Sequence, residues 1–215
     1  MKINTKKTKI IPFNVSKNHD FLPQINFPGH GQEPLEVIYT TRLLGVSLSS
    51  DLSWTPHITD ITTRATKKLW ILVRFKSLGG TREQLLTLYQ LRVRSTLEFA
   101  APVFHGGLSQ ELSRKVEMVQ KKAFAIILGG EYVSYDNALA ILNQDRLDKR
   151  RETLTLNFAI KCTKSPQHQH IFPLNPVMRE NSRNKKKYKE FLCRTSRYDN
   201  SPIPYMARLL NKEID

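Results

Sequence analysis

Nucleotidyl transfer needs paired carboxylates, because two metal ions must activate the attacking oxygen and neutralise the leaving group. The chain of 215 residues contains no adjacent Asp-Asp. Tyr135-Asp136-Asn137 and Tyr198-Asp199-Asn200 come nearest. Neither is flanked by strand signals. Asp136 follows Ser134 at a helix start, where a carboxylate complements the helix dipole, and Asp199 lies in a Ser/Asn/Pro turn. A zinc reading would combine Cys162, His168, His170 and Cys193. Zinc takes four N/S ligands at closed spacings, and this set matches no usual pattern; solvated loop histidines and a core Cys162 are the expected reading. Neither G-x-S-x-G nor G-x-x-x-x-G-K occurs, so the motifs of a nucleophile elbow and a phosphate loop are both missing. No catalytic residue, metal site or cofactor is therefore expected from this chain.

Binding chemistry is better supported. Thirty-four Lys and Arg against 19 Asp and Glu give a net charge of +15 and an isoelectric point near 9.9. A domain this basic meets a polyanion, with RNA, DNA or an RNA–DNA hybrid the expected partner and a membrane surface the competitor. The candidate phosphate contacts are Arg64, Lys67, Lys68, Arg74, Arg92, Arg94, Lys121 and Lys122, which fall beside apolar helical stripes. An ordinary solvated face is the alternative for each one singly. Six such contacts would give a log–log salt slope of about −5. Phosphate contacts position a ligand without reading its bases. Trp70 is expected to pack, and Trp54 to staple a helix start.

The elements that carry these residues change character at Trp54. Residues 1–52 are rich in strand and turn signals. Residues 10–15 read as an edge strand because of Pro12, and 35–39 and 43–48 read as paired strands. From Trp54 the apolar period becomes helical. Thr55 is the expected cap and Pro56 suits the first turn; Ile58, Ile61, Ala65, Leu69 and Leu72 share a face, and Gly79-Gly80 stops the helix. Thr81-Arg82-Glu83-Gln84 is a capping box. It opens a helix with the stripe Leu85, Tyr89, Val93, Leu97 and Ala100, which Pro102 is expected to end. A third helix starts at Ser109 with Leu112, Val116, Val119, Ala123, Ile126 and Ile127 inward. A fourth follows Ser134 and stops at Asn143. A fifth covers about 147–162, with Leu147, Arg151, Leu154, Phe158 and Cys162 aligned and Arg151 at the edge of the apolar face. Beyond Ser165 the pattern dissolves into a loop, a basic run at 179–189 and a final apolar segment near 203–210.

The order of these features resembles the end of the polymerase of jockey-like non-LTR retrotransposon reverse transcriptases. Lys6-Lys7-Thr8-Lys9 is similar to the segment that closes the palm. Leu43-Leu44-Gly45-Val46 resembles the primer-grip hairpin. Asp51-Leu52-Ser53-Trp54 with His57-Ile58 is the most specific string. Arg94-Ser95-Thr96-Leu97-Glu98-Phe99-Ala100 with Pro102-Val103, then Val119-Gln120-Lys121-Lys122-Ala123, Ser134-Tyr135, Arg150-Arg151 and Arg208-Leu209-Leu210-Asn211 continue it. The resemblance implies that the helices form a thumb clamping template and primer, and that Leu44, Gly45 and Val46 position the primer end. A residue without Cβ at Gly45 suits close approach of backbone to a ligand. The family's Mg²⁺ would sit on palm aspartates that this sequence lacks. Met1 stands inside the palm motif, so a truncated copy, inactive as a polymerase, is expected.

The expected architecture is thus mainly α: a small N-terminal β ribbon, then a helical thumb-like bundle and an irregular basic tail. The expected divisions are 1–52 (palm remnant), 53–130 (thumb-like), 131–165 (helical extension) and 166–215 (basic tail). An independent basic helical adaptor that binds protein partners is the alternative function. Two cysteines cannot build a disulfide framework, so an intracellular location, nuclear or cytoplasmic, is expected. No run of apolar residues is long enough to span a bilayer. The sequence leaves the oligomeric state open.

Overall fold

A computed structural model describes residues 8–13, 35–175 and 186–213. The turn-rich run at 14–34, with the end of the predicted strand at 10–15, and most of the basic run at 179–189 lie outside the described residues, as does Lys6-Lys7. The fold is mainly helical after a small β region, and divides into two compact units, 1–60 and 61–215.

In the first unit, β1 (Lys9–Ile10) pairs in parallel with β2 (Glu36–Val37). Strands β3 (Thr40–Leu43) and β4 (Val46–Ser49) form an antiparallel hairpin with Leu43 opposite Val46. The predicted pairing of 35–39 with 43–48 is therefore corrected: the second run contains the turn. Leu44 and Gly45 have φ of 48° and 88°, the left-handed pair of a type I′ turn, whose twist matches the flanking strands. Gly45 accepts this conformation freely; Leu44 does not.

Helix α1 (Thr55–Ser77) runs from the first unit into the second. Thr55 is its first residue rather than its cap, and the Thr55 N–H donates to Ser53 Oγ at 3.1 Å. Asp51 Oδ1 accepts from Ser53 N–H at 2.9 Å and from Ser49 Oγ. Ser47 N–H donates to Nδ1 of the buried His57 at 3.3 Å. The Asp-Leu-Ser-Trp string and His57 thus splice the hairpin to the helix within the first unit. At the far end Gly79 takes φ 85°, its N–H reaching Lys76 O and the Gly80 N–H reaching Phe75 O. This is the Schellman closure.

The second unit contains the remaining helices. The Thr81–Gln84 capping box opens α2 (Arg82–Leu88). A π-helical segment, Tyr89–Arg94, follows and leads into α3 (Ser95–Glu98). The stripe Leu85, Tyr89, Val93, Leu97 advances strictly by four residues, and all four are buried. An α-helix of 3.6 residues per turn would rotate such a stripe away from the core; the wider π turn keeps it aligned. Pro102 does not end this helix. The chain turns at Ala100 (φ 56°), and Pro102 sits in the first turn of α4 (Ala101–Phe104), where its missing N–H costs nothing. A 3₁₀ turn, His105–Gly107, precedes α5 (Gln110–Leu128), capped by Ser109. Helix α6 (Tyr135–Leu142) is capped by Ser134 and closed by left-handed Asn143, and α7 spans Leu147–Lys164.

The buried line on α7 is Leu147, Arg151, Thr155, Ala159 and Cys162; Phe158 is exposed and Leu154 half-buried. Arg151 is fully buried rather than at the edge. The described part of the tail carries two helices, α8 (Ser196–Asp199) and α9 (Pro202–Lys212). Met206, Ala207 and Leu210 of α9 join Ala159, Cys162, Phe172 and Tyr188 in one apolar cluster. The buried Asn211 amide brackets the Tyr188 backbone, accepting from its N–H at 2.9 Å and donating to its carbonyl at 3.0 Å.

Candidate nucleic-acid interface

The eight predicted cations separate into two groups once their surroundings are known. Lys67 and Arg74 on α1, Arg92 in the π-helical segment and Lys122 on α5 are exposed. The charged side chains of these four make no ion pair or hydrogen bond among the described residues. Arg64, on α1 with Lys67 and Arg74, is half-buried.

The other three are engaged within the fold. Lys68 is half-buried and donates to Thr96 Oγ1 at 2.7 Å, and the Thr96 hydroxyl donates to Arg92 O at 3.0 Å. Lys68 therefore ties α1 to the turn that presents Arg92. Arg94 Nε lies 3.7 Å from Glu98 Oε2, and its Nη1 donates to Gln144 Oε1 at 2.9 Å. Glu98 also receives a two-pronged contact from Arg150, at 2.6 and 3.1 Å. One mostly buried carboxylate is thus shared by two guanidinium groups and leaves the cluster with a net positive charge, with Arg94 and Arg150 drawn from two distant strings of the sequence. Burial and the neighbouring Arg150 charge push the Arg94 guanidinium down from its ordinary range; the Glu98 hydrogen bond pulls Arg150 up. Lys121 is half-buried with Nζ 4.9 Å from the centre of the Tyr135 ring, and Arg146 stands 5.5 Å from the same ring. Such cation–π contacts hold a charge in place without cancelling it.

A buried polar network fixes the helices that carry these groups. Gln120 Nε2 donates to Tyr135 Oη and to Asp145 O, each at 2.9 Å, while its Oε1 accepts from the Tyr89 hydroxyl. Tyr135 donates in turn to Glu117, whose other oxygen accepts the Asp148 N–H at 2.8 Å in the first turn of α7. Burial is the main force raising both tyrosines above their ordinary range, so both remain hydrogen-bond donors. Gln120 falls on the same face as Val116, Val119 and Ala123; that spacing was the signal that it belonged to the core. Arg151 Nη2 donates to Ser113 Oγ at 2.9 Å, and its Nε and Nη1 find no acceptor among the described residues.

Of the two tryptophans, Trp70 departs from expectation. Trp54, half-buried, makes an edge contact with His57 at 6.2 Å. Trp70 does not pack: it is 64 % exposed. It stands three residues after Lys67 and four before Arg74, on the outward face of α1. Its place off the inward stripe of Leu69 and Leu72 was the one signal in the sequence, and whether a neighbour covers that face is set by the fold.

Of the primer-grip-like residues, Leu44 is 89 % exposed at the hairpin tip, Gly45 is half-buried and Val46 is buried. Asp136 is exposed and lies 3.9 Å from Arg146, and Asp199 pairs with Arg208. Cys162 lies in the core, Cys193 is half-buried, both thiols are free, and His168 and His170 are exposed. Among the described residues no group of three or more His, Cys, Asp or Glu is placed to hold a metal ion. No helix among them is long and apolar enough to cross a membrane. A cleft of about 530 Å³ on α5 and the start of α7 is lined by both signs of charge, Arg114, Lys121 and Arg146 with Glu117 and Asp148.

Comparison with protein-family models, curated proteins and solved structures returns no significant match.

Proposed function

We propose that this chain binds nucleic acid through its phosphates, as the thumb region of a non-LTR retrotransposon reverse transcriptase would. The observation that carries the reading is the set of exposed, uncompensated cations Lys67, Arg74, Arg92 and Lys122, in a chain of net charge +15. The sequence resemblance from 43 to 211 supports the thumb assignment. The chain supplies grip and no nucleotidyl transfer, because the carboxylate pair that would hold Mg²⁺ is missing from its sequence. The left-handed, exposed Leu44 at the hairpin tip fits a contact at the primer end, since residues held at unfavourable φ concentrate at ligand sites. On this reading the chain works inside the cell, wherever template and primer meet.

Binding to an RNA–DNA hybrid should be measured by fluorescence anisotropy over a range of salt. Four phosphate contacts give a log–log slope of about −3.6. Replacing Lys67, Arg74, Arg92 and Lys122 together by Ala should bring the slope close to zero, while each single change reduces it by about 0.9. Wild-type binding that ignores salt would reject the phosphate reading and favour a protein-binding adaptor.

A further inference from the structure

We propose that Trp70 is a base-stacking contact for single-stranded nucleic acid, with Lys67 and Arg74 as its flanking phosphate clamps. The inference rests on the nucleic-acid reading above and adds what phosphate contacts alone lack, a grip on the bases. An indole is costly to leave in water, yet Trp70 is 64 % exposed, and Val73 beside it on α1 is 52 % exposed. The apolar patch is bracketed by charge. Lys67 and Arg74 lie about 4.5 and 6 Å from Trp70 along the helix axis, one on each side, and both are exposed without acidic partners among the described residues.

That pattern, a π-face between two unneutralised cations, matches a strand of alternating base and phosphate. Non-specific single-strand binders combine the same two parts, a positive track and an aromatic platform. A duplex buries its base faces in the stack, so an indole on a helix surface can reach only an unpaired base. The clamp is sequence-tolerant, because every base offers a π-face. The cation on each side also disfavours a basic or purely apolar protein partner.

The chain has two tryptophans, so a Trp54→Phe variant isolates the Trp70 signal. Titration of that variant with a twenty-nucleotide oligothymidylate should quench its fluorescence. An abasic strand of equal length keeps the phosphates and should bind about tenfold more weakly, with no quenching. Trp70→Ala should lower oligothymidylate affinity about tenfold, to the level of the abasic strand, with an unchanged salt slope; Trp70→Phe should restore most of the loss. Circular dichroism of the Trp70 variants should match wild type, since the side chain is outside the core. Equal affinity of wild type and Trp70→Ala, or equal binding of the abasic strand, overturns the stacking contact while the salt-dependent phosphate reading stands. Salt-independent binding overturns both.

Discussion

At the scale of single residues, the distinction between a free charge and a spent one decides which cations can serve a ligand. Arg94 and Lys67 look alike in the sequence, but Arg94 shares Glu98 with Arg150, and Lys67 is exposed. The Glu98 side chain is 12 % exposed, so its two guanidinium partners lose more than a surface pair would. Replacing Glu98 by Gln should destabilise the protein by about 2 kcal/mol, read as a lower urea midpoint. The same change should leave the salt slope of nucleic-acid binding in place, because Arg94 and Arg150 remain inside the fold. A steeper slope would mean that the released guanidinium groups reach phosphate.

At the scale of elements, the hairpin and the second helix each carry a local conflict. The turn Leu44-Gly45 satisfies type I′ geometry with a leucine where asparagine or glycine is usual. Leu44 is exposed, so its side chain contributes little packing to offset the left-handed backbone. Leu44→Asn should therefore stabilise the first unit by about 1 kcal/mol, seen as a higher urea midpoint of its unfolding. If Leu44 contacts the primer end, the same variant should bind a recessed hybrid more weakly despite its greater stability. In the second helix the conflict is resolved by the backbone: four-residue spacing of the buried stripe forces the π turn at Tyr89–Arg94, which also turns Arg92 outward and Arg94 toward Glu98.

At the scale of the whole second unit, the chain end returns to seal the helices. Tyr205 of α9 bonds His105 Nε2 at 3.2 Å, with the rings edge-on at 5.5 Å. Burial, helped by the Arg151 charge and opposed by Asp148, brings the His105 imidazole down to about 4. His105 is thus neutral in the folded state through the mildly acidic range, whereas the unfolded chain takes up a proton near the ordinary value of about 6.5. Below that value the unfolded state binds more protons, so the contribution of His105 is full above about pH 6.5. It is lost as pH falls toward about 4. Urea unfolding between pH 7 and pH 4 should show the stability advantage of wild type over His105→Phe shrinking across this window. Parallel profiles would remove His105 from the acid sensitivity.

The helices were legible because their signals are local. The Thr81–Gln84 box, Ser109, Ser134, Asn143 and the Gly79-Gly80 stop each act within a turn of their own position. The resemblance placed a hairpin at Leu43–Val46, but the strand reading of 43–48 ran through its turn because a leucine stands where the type I′ marker residue belongs; the role of Pro102 was missed because the same residue suits the end of one helix and the start of the next. The candidate site was legible in part: charge and spacing named the cations, including the four that are exposed. Which cations are engaged within the fold depends on partners far away in the chain, Glu98 with Arg150, Lys68 with Thr96 and Lys121 with Tyr135. The exposure of Trp70 depends likewise on which face of α1 the neighbours cover. Side-chain type and period are properties of the chain itself, whereas compensation and burial are properties of what folding brings alongside, and only the tertiary structure decides those.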